Sequence, residues 1–399
     1  MNLKRPLKIF LGLFILLCEN LFAQTKYQKD FNEFWNDINN NYAYLEQQKI
    51  DWKKVKEIYE PQAEKINNDS DFIRLLENVL NELYNGHSSL NINLNTSNRL
   101  IPSGQDIYVE KKGNRYFVTD VRKGFGSDQS GLKIGMQITK YNGKDIDRQL
   151  QKFLPRFTKN HSSKMYQYAL DMLFAGTHDT KREINAIENG KEKIFKPVDY
   201  NYGPSEILLS GKILNESTVY IRINNSLGNN NLISEFDKTL DSFINYKNII
   251  VDLTETPSGG NSTVARAIMG RFTDKQLPYQ IHEFDEKQYD TKRHWEEFVT
   301  PRKTIYKGNV YILVGHWTGS MGEGIAIGFN GMKKAKIIGT PMAGLLGAIS
   351  GFQLSETQIR YQFPTERLYH INGTPREDFV PEIRTKNIEE TILKAKEIK

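Results

Sequence analysis

Cysteine is almost missing from this sequence: Cys18 is the only one in 399 residues. A lone thiol can close no intrachain disulfide and supplies none of the paired Cys spacings that bind zinc. Long apolar runs are as scarce. One stands out, Ile9 to Leu17, preceded by Lys4, Arg5 and Lys8; it is too short to span a bilayer and has the layout of a signal peptide, with cleavage expected after Ala23. A lipoprotein site at Cys18 is the weaker reading, because Leu17 stands where such sites usually carry a small residue. Cleavage after Ala23 would leave a mature chain with no thiol nucleophile, expected in the periplasm or outside the cell.

A strong charge of one sign is also lacking. Lys and Arg number 54 against 48 Asp and Glu, a formal charge of +6 that falls to +4 without Lys4, Arg5, Lys8 and Glu19. The excess forms no block or stripe, so nucleic acid is not an expected partner. Repeats and low-complexity tracts are missing. Neither a phosphate-binding Walker pattern nor a dinucleotide fingerprint occurs, and no metal or organic cofactor is expected. With no later run long enough to cross a membrane, the mature chain is not expected to insert into one.

The length suggests two or three domains, at roughly 150 residues each. Residues 24–100 read as a small helical domain: in "SDFIRLLENVLNELYNG" the apolar positions Phe72, Ile73, Leu75, Leu76, Val79, Leu80 and Leu83 mark one buried helical face, with Ser70 as its cap and Gly86 as its stop. Residues 101–203 change to short alternating runs, "DIYVE" and "RYFVTDV", separated by Gly-containing turns, which predict small antiparallel strands. Within them "GSDQSGLKIGMQITKYNGKDI" resembles the core of a PDZ domain through Gly131-Leu132, Gly135 and Asn142-Gly143, with Met136 where that family usually has Asp. Residues 204–399 alternate strand and helix, and Val/Ile runs such as "NIIVDL" and "NVYILVG" predict a largely parallel sheet covered on both faces.

Two stretches of this last region carry chemistry. "VDLTETPSGGNSTVARA" runs from a buried strand into Gly259 and Gly260 before a helix, a turn that brings backbone N–H groups close to an oxyanion or a phosphate. "GHWTGSMGEGIAIGF" places Ser320 between a strand and a helix of small residues. A serine there is either an N-cap or a nucleophile. The nucleophile reading pairs the N–H groups of Gly260 and Met321 as an oxyanion hole, with Gly259 and Glu323 in support. Thr318 excludes the Gly-x-Ser-x-Gly elbow of α/β-hydrolases, which would also require His316 or His370 as the base.

Taken together, "IIVDLTETPSGGNSTVARA", "HWTGSMGEGIAIGF", "AKIIGTPMAG" and "INGTPREDFVPEI" resemble the successive blocks of the carboxyl-terminal processing (tail-specific) peptidase family. The resemblance implies a mixed α/β fold, a crotonase/ClpP-like core carrying a PDZ-like domain and a small N-terminal helical domain, and it implies a serine endopeptidase acting on polypeptides. In one branch of that family a lysine about 25 residues past the serine is the base, but Leu345 stands there and "MAGLLGA" has no lysine. The tricorn-core-like branch uses a histidine from the N-terminal region and a glutamate near the closing block, which implies His87 and Glu377. Through the same resemblance Glu377 would orient the site by way of Ser88 or Ser89, although the family's serine precedes the histidine and Gly86 occupies that place. Thr254 also departs, standing where arginine commonly follows Asp-Leu. A helix C-terminus beside His87 would favour its protonated form. The contrasting expectation is a non-catalytic protein of the same fold that holds a lipophilic ligand or peptide.

Overall fold

The computed structural model describes residues 24–200 and 203–398. The expected leader, with Cys18 and the cleavage point after Ala23, lies outside them. Among the described residues no helix is long and apolar enough to cross a membrane.

Three helices come first, α1 (Lys26–Asn41), α2 (Trp52–Ala63) and α3 (Asp69–Asn81). The apolar face of α3 is buried as its spacing predicts. Its cap is Asn68 rather than Ser70: the Asn68 side chain accepts the Asp71 N–H at 2.9 Å, and asparagine caps as well as serine. The helix ends at Asn81, ahead of the expected stop at Gly86. Close packing is what demands glycine at Gly86, since a Cβ there would stand 2.9 Å from the carbonyl oxygen of Ile101. Strand β1 (Ser89–Leu90) follows.

The next region contains β2 (Ile107–Lys112), β3 (Arg115–Val121), α4 (Gly126–Gln129), β4 (Gln137–Tyr141), α5 (Ile146–Leu150), α6 (Ser163–Ala175), β5 (Ile184–Glu188) and β6 (Lys191–Phe195). Its strands form one antiparallel sheet in the order β2-β3-β4-β5-β6, with a core of its own that includes Ile107, Val118, Ile138 and Phe174.

The remaining elements are β7 (Leu209–Asn215), β8 (Thr218–Ile223), α7 (Asn231–Ser242), β9 (Asn248–Asp252), α8 (Ser262–Met269), β10 (Leu277–Glu286), β11 (Thr291–Val299), β12 (Asn309–Val314), α9 (Met321–Gly331), β13 (Lys336–Gly339), β14 (Ala348–Gln353), β15 (Arg360–Tyr369), β16 (Ile383–Arg384) and α10 (Ile388–Lys396). Strands β8, β9, β12, β13 and β16 run parallel, and β7 closes one edge antiparallel. Every residue of β9 is buried. Ile249, Val251 and Ile312 face the main core, while Ile250, Leu313 and Ile338 face Ala395 of α10, so both faces are covered as predicted. A third sheet, β1-β15-β10-β11 with β14 paired to β15, has no counterpart in the sequence reading. Two-residue β1 pairs Ser89 with Gln362 and so fastens the segment just after His87 to the C-terminal half of the chain. The whole is a mixed α/β protein.

Candidate active site

The chain leaves β12 through Gly315–Gly319 and reaches Ser320, whose φ of 51° and ψ of −112° are strained for a residue with a Cβ. Two sets of bonds hold this turn. Thr318 donates its hydroxyl to the Leu253 carbonyl at 2.9 Å, and the Gly319 N–H reaches Thr256 O at 3.2 Å, stitching the turn to the loop after β9. Glu323, buried in the first turn of α9, accepts the Ser320 N–H at 2.7 Å through one oxygen and the Gly344 N–H at 2.9 Å through the other. It therefore braces the turn that carries Ser320. Burial pushes its carboxyl up to about 7.

His87 comes from the other end of the chain. Its Nε2 lies 3.1 Å from Ser320 Oγ and its Nδ1 lies 2.7 Å from the carbonyl oxygen of Leu346. A carbonyl only accepts, so Nδ1 carries the hydrogen and the Nε2 lone pair receives the serine hydroxyl. Burial, reinforced by the Arg376 charge, lowers the imidazole to about 4. The expected help from a helix C-terminus is not there, because α3 ends at Asn81.

Gly259 adopts a φ of +62°, and a Cβ on it would stand 2.4 Å from the Ser320 Cβ and 3.0 Å from the Met321 nitrogen. The Gly-Gly turn thus lies directly against Ser320, with Gly259 in contact and Gly260 backed onto Leu227. Among the described residues neither the Gly260 nor the Met321 N–H finds an acceptor.

The expected link from Glu377 through Ser88 to the imidazole is not formed. Glu377 Oε2 and Ser88 Oγ are both buried without a hydrogen-bond partner, and Ser89 is drawn into β1. Burial raises the Glu377 carboxyl above its ordinary range. The orienting acceptor is a main-chain oxygen, which no side-chain motif can announce. Sequence reasoning also missed Arg376, buried beside Glu377: its Nη2 donates to the carbonyls of Leu345 at 2.7 Å and Gly347 at 3.0 Å. The signal was an arginine inside the quoted block "PREDF", passed over for the carboxylate next to it.

The other candidates lie elsewhere. His316 stacks on Tyr108 at 3.7 Å and His370 bonds Asn330, so neither serves Ser320. Leu345, at the lysine place of the other branch, turns its side chain between Gly86 and Gly319. Lys333, Lys334 and Lys336, the first lysines after Ser320 in the sequence, follow the far end of α9. Among the described residues no group of three His, Cys, Asp or Glu side chains is arranged to hold a metal ion.

Residues flanking β2 and β3 also touch this site. Trp317 donates its indole N–H to Gln105 O at 2.7 Å, and Arg122 forms a buried ion pair with Glu255, in the loop that leads to Gly259.

Residues 217–384 match the sequence model of peptidase family S41, and residues 23–81 match that of the tricorn protease C1 domain. No curated protein matches the chain. Among solved structures it is similar to mature CPAF, with 14% identity over 90% of this chain and 92% of that one at a TM-score of 0.64. It is also similar to the photosystem II D1 C-terminal processing protease, with 14% identity over 90% and 93% and a TM-score of 0.55.

Proposed function

We propose that this chain, whose residues 217–384 match peptidase family S41, is a serine-type peptidase that hydrolyses polypeptides through Ser320 and His87. The observation that carries the reading is the 3.1 Å approach of His87 Nε2 to Ser320 Oγ, with Nδ1 tied to a carbonyl. Ser320 Oγ attacks the scissile carbonyl carbon while its proton passes to His87 Nε2. The Met321 and Gly260 amides, beside the Gly259 contact, receive the oxyanion. His87 then returns the proton to the leaving amine as the C–N bond breaks. Water, deprotonated by the same nitrogen, splits the ester and regenerates the serine. Glu377 interacts electrostatically with Arg376, whose charge in turn acts on His87.

The leader-like start of the sequence supports an exported enzyme. The PDZ-like region, a sheet with β2 and β6 at its edges, is suited to hold an extended substrate by strand addition. Digestion of an unbiased peptide library tests the activity: cleavage by the wild type that disappears in Ser320→Ala is the expected result. Equal cleavage by both proteins would overturn the assignment.

A further inference from the structure

The loop between β13 and β14 has no regular secondary structure, yet it supplies the oxygen on which His87 depends. Its fastening comes from one buried ion pair. Arg376 donates to Leu345 O and Gly347 O, the carbonyls on either side of Leu346. Glu323 accepts the Gly344 N–H of the same loop and the N–H of Ser320. The two charges lie 3.9 Å apart, with side-chain exposures of 2% and 0%. A single unit therefore grips the amide of the serine and brackets the carbonyl that aligns the histidine.

We infer that Arg376 is a positioning residue for the Ser320–His87 reaction, setting through the Leu346 carbonyl the angle at which His87 meets the serine. The inference rests on the peptidase reading above. Both bonds leave one nitrogen, Nη2, and a guanidinium is suited to the task because the two hydrogens on that nitrogen are held in a rigid plane while the charge answers a carboxylate. The rival account is that Arg376 merely neutralises the buried Glu323 and Glu377, a duty any cation of similar length could take.

Arg376→Lys separates the two, since lysine keeps the charge but carries it as a freely rotating ammonium with no fixed donor plane. Turnover per active site, titrated with a fluorophosphonate, is measured with a peptide substrate alongside the thermal melt. Misplacement of a catalytic group by about 1 Å can cost ~10²-fold. The expected result is a fall in kcat of about 10-fold to 100-fold with KM nearly unchanged, in protein that still melts cooperatively, and a parallel fall in the fluorophosphonate labelling rate. Arg376→Gln adds a second readout. The charged group that acts on the imidazole is Arg376; Glu323 and Glu377 interact with Arg376 in turn, and Tyr42 and Tyr44 with Glu377. Loss of the Arg376 charge should move the acid limb of kcat/KM toward higher pH, which a packing defect would not do. Titrated sites in both variants that turn over within 2-fold of wild type, with an unmoved acid limb, would overturn the inference. A wild type that neither cleaves peptides nor labels would instead defeat the peptidase reading.

Discussion

The Nδ1 of His87 meets the carbonyl oxygen of Leu346 at 2.7 Å, so a main-chain group does the work often given to a carboxylate. The carbonyl fixes the tautomer and the ring angle but would bring only a dipole to the imidazolium that the proposed deprotonation of Ser320 would form. Full charge stabilisation is forgone, and the low proton affinity of His87 agrees with that.

Removing the base should be severe. His87→Ala is expected to lower kcat by at least ~10²-fold, the lower end of what a positioned general base contributes. Arginine at Lys333, Lys334 and Lys336 should leave most of the activity, because those side chains follow the distal end of α9. Steady-state kinetics on one peptide substrate decides between histidine and lysine; a near-normal folded His87→Ala would end the assignment.

The pH profile should have its acid limb unusually low. His87 works as a base only when neutral, and its folded value of about 4 means that activity rises with pH through about 4 and is nearly flat by pH 6. The same shift acts on stability. Between pH 4 and the unfolded value of about 6.5 the unfolded chain binds more protons at this site, so His87 makes stability rise with pH across that window and adds nothing further above it. Melts of wild type and His87→Gln across pH 4–7 would reveal the difference; parallel curves would refute it.

Glu323 should act in the opposite direction. Its carboxyl is raised to about 7, so the folded state holds the extra proton and stability falls as pH rises from about 4.5 to 7. In Glu323→Gln that dependence should vanish. The amide cannot accept from both Ser320 and Gly344, and the unanswered buried N–H should cost about 1–3 kcal/mol. Urea unfolding at pH 5 and pH 8 measures both effects, and a variant as stable and as pH-dependent as wild type would contradict them.

Gly259→Ala should harm catalysis more than folding. A methyl group there would strike Ser320 Cβ, and the residue would be held at a positive φ that costs an ordinary amino acid about 1–2 kcal/mol. Displacing an oxyanion donor costs about 10²-fold to 10³-fold in kcat. Titrated turnover with a thermal melt checks the ratio; loss of folding in step with activity would point to strain alone.

Much of this arrangement was legible. Buried Val and Ile runs foretold the parallel sheet, because strands covered on both faces have no polar face to show. Ser320, His87 and Glu323 could be named as candidates because their chemistry resides in side chains, and the structure brings the three together. The Leu346 carbonyl was invisible for the opposite reason, and Arg376 serves through that carbonyl. Nothing in "QIHEFDEKQYDTKRHWEEF" announced β10 and β11 as a hairpin: its charged residues pair across the sheet and much of β11 meets water, so no apolar stripe marks it. The Gly-Gly turn was recognised, but which glycine touches the nucleophile depends on a backbone angle at Gly259 that the letters do not carry.

His87 and Ser320 are separated by 233 residues of sequence, and the histidine's loop is held in place by a strand only two residues long. A chain still being synthesised has its base long before it has a nucleophile, and it can align neither until β15 is complete and paired with β1. On the proposed mechanism, turnover in a refolding experiment would count only molecules whose two ends have met.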